Sequence, residues 1–163
     1  MNGIGQPRPE LLRGLLRDLA AGGRFGEGSV HGTSMEPTLQ DGDRVWLVPA
    51  TGRDVRVGDL VVQGGESGPI IHRFVGWWPT REGWRLLTKG DNLPLFDPPL
   101  CPDCLVGRVV ARVRAGKVQR LEGMGIRFRE RGRAAVSFVT GLTAEVWIRV
   151  RRAAHRPVGL PPD

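Results

Sequence analysis

The sequence predicts a mainly β domain with a helix at each end. Glycine and proline are frequent, at 24 and 13 of 163 residues, and 40% of the residues are hydrophobic. This composition is typical of a globular, turn-rich protein rather than a disordered chain. Short apolar or alternating runs separated by turn residues fill the middle of the chain, which is the pattern of β-strands. Helical spacing of apolar residues is confined to the two ends, and the length suits one domain.

The N-terminal helix is predicted from a stripe of leucines. Leucines at positions 11, 12, 15, 16 and 19 fall on one face of a helix. Pro9 suits its first turn, and Gly22-Gly23 suits its end. Such a face either packs on a protein body or lies on a membrane, and we favour packing.

The β-strands are predicted from apolar alternation between turn signals. The segment 40–43 is a tight turn before a strand over Arg44–Val48. A turn and a buried strand follow at 57–62, and then a loop at 64–68. Four further strands are expected, at 70–78, 84–88, 105–114 and 118–121, with a polar loop at 89–94.

Positive charge is concentrated towards the C-terminus. Residues 1–106 carry 11 Lys+Arg against 13 Asp+Glu, whereas residues 107–163 carry 13 against 4. The segment from about Arg133 onward has the spacing of a helix. We therefore divide the chain into a helix and linker (1–24), a β domain (25–122) and a basic helical extension (123–163).

A candidate nucleophile lies on the bend before the first predicted strand. Gly32 permits backbone conformations that are closed to other residues, and Pro37 fixes its own φ and pushes Glu36 towards extended geometry. Ser34 lies between them. A serine held on a stiffened bend beside a strand is how a nucleophile is presented, although a lone serine in a turn is usually only a turn residue.

Four motifs, one of which contains Ser34, occur in a characteristic order. They read Ser34-Met35-Glu36-Pro37, Gly58-Asp59-Leu60-Val61-Val62, His72-Arg73-Phe74-Val75 and Thr88-Lys89-Gly90-Asp91-Asn92. Their order resembles the archaeal and endoplasmic-reticulum branch of type I signal peptidases, in the LexA/signal peptidase superfamily, over residues 30–112. The resemblance implies a signal-peptidase/LexA-like, β-barrel-type catalytic domain within residues 25–122.

The resemblance also implies the roles of the site residues. Ser34 is then the nucleophile, and its backbone N–H is a donor to the oxyanion. His72 is the base, because it stands where the bacterial branch has a lysine. Asp97 orients the histidine, because it follows Asp91 by six positions as the corresponding aspartate does in that branch. Asp91 stays open as the alternative third member. His31, three residues before Ser34, is the competing base, and His155 is expected to be structural or solvated.

The predicted activity is that of a serine endopeptidase that cleaves a signal, leader or precursor peptide. Two alternatives remain open at this point. The chain is either a catalytically inactive binding module on the same fold, or a LexA-like Ser–Lys self-processing protease. Only two lysines, Lys89 and Lys117, are available for the second alternative.

The expected partners follow from the same segments. The substrate is a peptide or precursor protein. The basic C-terminal helix favours peripheral association with a membrane surface over nucleic acid, because it lacks interleaved stacking aromatics. No secretory signal and no apolar run of membrane-spanning length is found. We therefore expect a cytoplasmic or peripheral membrane location.

No cofactor or metal site is predicted. Cys101-Pro102-Asp103-Cys104 is a single C-x-x-C, without a second pair or a histidine at ligand spacing. A redox pair is conceivable, but a loop disulfide or two free thiols is the interpretation that we favour.

Overall fold

The computed structural model describes residues 9–65, 68–121, 132–136 and 138–145. A helix, α1 (Pro9–Ala21), precedes seven strands. The strands are β1 (Gly26–Ser29), β2 (Arg44–Pro49), β3 (Leu60–Gly65), β4 (Gly68–Thr80), β5 (Gly83–Lys89), β6 (Leu105–Arg114) and β7 (Lys117–Arg120), with a short 3₁₀ helix, η1 (Pro102–Cys104), before β6. The predicted mainly β class is confirmed.

The strands form one antiparallel sheet in the order β1-β2-β6-β3-β4-β5, with β7 paired to β6. Among the described strands this pairing is an open path that ends at β1 and β5, not a closed ring. Strand β4 lies between β3 and β5, with His72 opposite Val61 and Arg73 opposite Lys89. The site described below is built around this strand.

Helix α1 packs on the sheet, as predicted. Leu16 is buried and joins the core cluster that contains Val45, Leu47 and Val109 of β2 and β6. A second cluster, with Val61, Phe74 and other residues, lies elsewhere in the sheet. These clusters account for the apolar positions of the predicted strands, because side chains of a strand alternate between its two faces.

One strand has no counterpart in the sequence prediction, and one predicted loop is shorter than expected. Strand β1, with the sequence Gly-Glu-Gly-Ser, was not expected because it lacks the β-branched and aromatic residues that favour strands. It forms because its backbone pairs with β2. The loop expected at 64–68 is shorter than predicted, because Gly64 and Gly65 continue β3 and pair with Pro69 and Gly68.

Residues 132–136 and 138–145 are helical, and we call them the C-terminal helical segment. One side of it packs on the body. Ala134 is buried, and the rings of Phe138 and Phe96 lie 5.5 Å apart. Gly141 is also buried there, since a Cβ at this position would lie 2.6–2.9 Å from Phe96 ring atoms. Within the described residues, no helix is both long and apolar enough to cross a bilayer.

Candidate active site

Ser34 lies on the series of turns between β1 and β2. Gly32 has φ +87°, and its N–H donates to the Asp41 carboxylate at 2.9 Å. The Glu36–Pro37 peptide bond is cis. Met35 and Leu39 are buried in the core and anchor these turns to it. Ser34 is left half-buried on the surface of the anchored segment.

His72 lies in the middle of β4 and is 6% exposed. Its Nε2 lies 3.2 Å from Oγ of Ser34, within hydrogen-bonding distance. The two residues are 38 positions apart in the sequence. The sheet therefore places a base against the hydroxyl that most resembles a nucleophile in sequence.

Asp97 completes the same chain of contacts. Its N–H donates to the carbonyl of Thr88 at 2.9 Å, which fixes the segment after the loop beside β5. Its Oδ2 lies 2.7 Å from Nδ1 of His72 and accepts a hydrogen bond from Oγ1 of Thr88 at 2.6 Å. A carboxylate at Nδ1 fixes the proton on that nitrogen and leaves Nε2 free to accept one from Ser34.

Burial alone would raise the pKa of Asp97. The hydrogen bonds from His72 and Thr88, together with the charge of His72 when it is protonated, outweigh that effect and hold the pKa below its ordinary value. The carboxylate is therefore ionised at neutral pH, which is the state needed to stabilise an imidazolium.

Asp91 is bound to a different partner. Its two oxygens accept hydrogen bonds from Nε and Nη2 of Arg73, each at 2.7 Å. Oδ2 also accepts a hydrogen bond from Oγ1 of Thr38 at 2.5 Å. Arg73 is fully buried and also donates to the carbonyl of Gly58 at 2.7 Å. The geometry thus brings Asp97 to His72 and Asp91 to Arg73.

The loop that carries Asp91 also contacts the nucleophile segment. The N–H of Asn92 donates to the carbonyl of Ser34 at 2.8 Å, and its side-chain amide donates to the carbonyl of Thr33 at 3.2 Å. A Cβ at Gly90 would lie 2.8 Å from the Ser34 carbonyl oxygen, so this position requires glycine. The loop therefore holds the backbone of Thr33 and Ser34 through hydrogen bonds.

The competing bases, His31 and Lys89, have other contacts. The His31 side chain is 83% exposed, with Nδ1 3.9 Å from the Asp41 carboxylate. The ammonium of Lys89, a buried residue, donates to the carbonyl of Gly90 at 3.3 Å. Burial lowers the pKa of Lys89, and the carboxylates of Asp91 and Asp97 oppose that shift. His155 lies outside the described residues.

A cavity opens beside Ser34. It has a volume of about 430 Å³ and lies between the segment 29–35 and the start of β4, at 68–71. Val30, Met35, Ile70 and Ile71 supply the apolar part of its lining, and Ser29, His31 and Ser34 supply polar side chains. It is large enough for a few residues of peptide, and Ser34 is one of its lining residues.

Sequence reasoning missed two residues that support the site. Gln63 is buried on β3 and accepts a hydrogen bond from Thr88, the residue that contacts Asp97. Its signal was a polar residue in the buried apolar run of β3. Thr38 is also buried, and its hydroxyl contacts Asp91 and the guanidinium groups of Arg73 and Arg133. No sequence signal marks that convergence.

Comparison with known proteins is consistent with this geometry. No protein-family profile matches the chain. The chain is 46% identical over 66 residues to the signal peptidase complex catalytic subunit SEC11 of Candida tropicalis, which is 39% of each chain. It is 43% identical over 63 residues to SEC11 of Penicillium rubens, covering 36% of this chain and 34% of that one. SEC11 of Metarhizium acridum is 42% identical over 62 residues, or 36% of each chain.

The chain spans less than two fifths of the length of these relatives. All three carry the name of a signal peptidase catalytic subunit, as does the Clavispora lusitaniae relative, which is 42% identical over 66 residues. The predicted resemblance to signal peptidases of the archaeal and endoplasmic-reticulum branch is thereby confirmed: over the matched stretch, this chain is similar to the catalytic subunits of the signal peptidase complex.

Proposed function

We propose that this chain is a serine endopeptidase that uses a Ser34–His72–Asp97 unit. The observation that carries the proposal is the continuous chain of contacts, 3.2 Å from Ser34 Oγ to His72 Nε2 and 2.7 Å from His72 Nδ1 to Asp97 Oδ2. The names of the relatives support the same class of activity. The proposal assigns the catalytic domain to residues 25–122, the helix and linker to 1–24 and the basic extension to 123–163.

Acylation begins with attack of Ser34 Oγ on the carbonyl carbon of the scissile peptide bond. Its proton passes to Nε2 of His72 as the new bond forms, because a neutral hydroxyl is a weak nucleophile. Asp97 stabilises the resulting imidazolium through Nδ1. We assign the Ser34 backbone N–H as a donor to the oxyanion. The imidazolium then gives its proton to the leaving amine, and the C–N bond breaks.

Deacylation reverses these roles with water. His72 takes a proton from a water molecule, the resulting hydroxide attacks the acyl carbon, and Ser34 leaves with the proton from His72. Each step needs the same two nitrogens of one imidazole. The anchoring of His72 in the middle of a strand therefore supports both half-reactions.

The substrate that we propose is a signal, leader or other precursor peptide. It enters the cavity beside Ser34 between the segment 29–35 and the start of β4, where the apolar lining suits short apolar side chains. Cleavage after small residues is an expectation that comes only from the resemblance to signal peptidases.

The first experiment measures cleavage of a synthetic precursor peptide with small residues before the scissile bond. Ser34→Ala and His72→Ala are each expected to lower turnover to a similar residual level. The losses from residues that act as one catalytic unit are not additive. Thr143→Ala removes an exposed hydroxyl on the C-terminal helical segment and serves as the matched control. A serine-directed acylating probe should modify Ser34, identified by peptide mass spectrometry. If the folded protein neither cleaves nor is labelled, the binding module is correct.

The same assay distinguishes the bases. The Lys89→Ala variant should still cleave the peptide, and its activity should still fall at acidic pH. The fall is expected because a protonated His72 imidazole has no lone pair to accept the Ser34 proton. If Lys89→Ala abolishes cleavage while His72→Ala does not, the Ser–Lys alternative is correct. If only His31→Ala inactivates the protein, the base is the other histidine.

We also propose peripheral membrane association through the C-terminal helical segment. Its face opposite Ala134 and Phe138 exposes Val136, Val139 and Leu142 at 65%, 58% and 46%. Exposed apolar side chains on a segment that is flanked in the sequence by arginines, at 127, 129 and 131 and at 149, 151 and 152, suit an anionic lipid surface. The comparisons give no support to the cytoplasmic alternative.

The test is co-sedimentation of the full chain with phosphatidylglycerol vesicles. Serine at all three positions should reduce binding, while added salt should weaken binding of the unaltered chain. Phosphatidylcholine vesicles are the neutral control. Equal binding of the variant and the unaltered chain would exclude this surface.

A further inference from the structure

The two cysteines lie together on a turn outside the proposed catalytic site. Cys101 precedes η1 and Cys104 ends it, and the N–H of Cys104 donates to the carbonyl of Cys101 at 2.9 Å. A turn closed by such a bond brings the first and fourth Cα atoms within about 7 Å. Disulfides join Cα atoms about 4.4–6.8 Å apart. The backbone of this turn is therefore suited to a bond between the two sulfurs.

Both cysteines face the same space. They line a cavity of about 700 Å³ between the tip of the β4–β5 hairpin and the segment 98–104. Cys101 is partly exposed and Cys104 is exposed, and neither sulfur is in a disulfide in the structure. A reagent of small-molecule size can therefore reach either sulfur.

The cavity also carries positive charge. Arg81 and Arg85 line it together with the two cysteines. Arg85 is held in place by an ion pair with Glu82 at 2.5 Å. Thiolate is the reactive form of cysteine. The same charges attract anionic reagents.

The turn is fixed at both ends. Leu100, just before it, exchanges two backbone hydrogen bonds with Leu86 of β5, at 2.8 and 2.9 Å. Leu105, just after it, begins β6. Because the sheet holds both flanks, the two thiols stay close to each other in the reduced protein. This proximity favours reaction within the chain over reaction with a second external molecule.

We propose that Cys101 and Cys104 form a reversible thiol–disulfide site that exchanges with anionic low-molecular-weight disulfides. The Cys101 thiolate attacks one sulfur of the external disulfide, forming a mixed disulfide and releasing one thiolate. The Cys104 thiolate then attacks the Cys101 sulfur, closing the intramolecular bond and releasing the second thiolate. The two protons lost by the cysteines go to the two released thiolates, and the external disulfide is the oxidant. This site is independent of the peptidase proposal.

The test uses the full chain, in which these are the only two cysteines, and oxidised glutathione as the probe. Reduced protein should lose both thiols and have a mass lower by two hydrogen atoms, and reduced glutathione should restore both. Cys104→Ser should instead trap one glutathione on Cys101. Stable glutathione adducts on the unaltered chain, linked dimers, no reaction, or a bond that resists reduced glutathione would each overturn the proposal.

Arg85→Gln tests the role of the guanidinium. It should slow reaction with oxidised glutathione by about threefold or more at low salt, and added salt should reduce that difference. Arg120→Gln removes an exposed arginine on β7 and is the matched control. Circular dichroism of each variant establishes that the fold is intact. Equal rates for Arg85→Gln and the unaltered, folded chain would exclude Arg85 from the site.

Discussion

Replacing Asp97 by asparagine separates the charge of its carboxylate from its hydrogen-bonding geometry. His72 Nδ1 and Thr88 Oγ1 both contact the same oxygen, Oδ2, at 2.7 and 2.6 Å. An asparagine whose amide oxygen takes that position keeps both bonds, so the imidazole keeps its orientation. The substitution therefore removes little more than the negative charge.

That charge contributes most when His72 is protonated, which is its state in the transition state. Two unit charges about 4 Å apart attract each other by about 4 kcal/mol at an effective dielectric constant of about 20. The Asp97 side chain is 17% exposed, so water screens part of this attraction. A loss of about 2–4 kcal/mol of transition-state stabilisation corresponds to a fall in kcat/KM of about 30- to 1,000-fold.

The assay is kcat/KM for the precursor peptide, measured for Asp97→Asn, Asp97→Ala and Asp91→Asn. Asp97→Ala should cost at least as much as Asp97→Asn, because it also removes the group that orients the imidazole, but less than Ser34→Ala or His72→Ala. Urea unfolding of each variant separates lost activity from lost structure. Should Asp97→Asn keep full activity while folded Asp91→Asn loses it, the partner of the histidine is Asp91 and the reasoning above is refuted.

Three further predictions concern stability. Arg73→Met should lower the free energy of unfolding by about 3–5 kcal/mol, because it leaves Asp91 buried without its cation. The double variant with Asp91→Leu should recover part of this loss, measured by urea unfolding. Strictly additive losses for the two substitutions would contradict the pairing. The hydrogen bond from Arg114 lowers the pKa of Asp43, burial opposes this shift, and a backbone N–H adds to it. The ionised Asp43 therefore contributes its full stabilisation above pH ~4, near the unfolded pKa, and this stabilisation is lost as pH falls through the lower folded pKa. Asp43→Asn should therefore cost stability at pH 7 and progressively less at acidic pH, and a difference that does not change with pH would exclude this linkage. Gly141→Ala should reduce stability by about 1–3 kcal/mol, measured as a lower Tm, because the added methyl group overpacks against the Phe96 ring. Gly132→Ala, which has open space around it, is the control. Equal Tm values for the two variants would contradict the packing.

The sequence predicted those parts of the fold whose signal is local. The strands β2, β4, β5 and β6 have alternating or continuous apolar residues between turns, and periodicity alone locates them. Strand β1 has no such signal, because only its pairing with β2 makes it a strand. Likewise, residues 64 and 65 looked like a loop because a hairpin partner, not their own propensity, extends the strand there.

The site divides in the same way. Ser34 and His72 could be selected because each lies in a motif that resembles the signal peptidases, and Asp97 because the same resemblance places an aspartate six positions after Asp91. That Asp97 rather than Asp91 contacts the histidine depends on where two loops meet β5, which no local pattern encodes. The supporting role of Gln63 likewise depends on a neighbour 25 positions away, Thr88.

The position of His72 directly before Arg73 on β4 has a consequence for folding. Neighbouring residues of a strand point to opposite faces, so a slip of one residue in pairing would exchange the base for a buried cation. It would also take the guanidinium from its carboxylate, Asp91. Misregistered chains are therefore both unstable and without a base at the serine. Under the proposed mechanism, peptide cleavage is therefore possible only in the register that also pairs the buried Arg73 with Asp91.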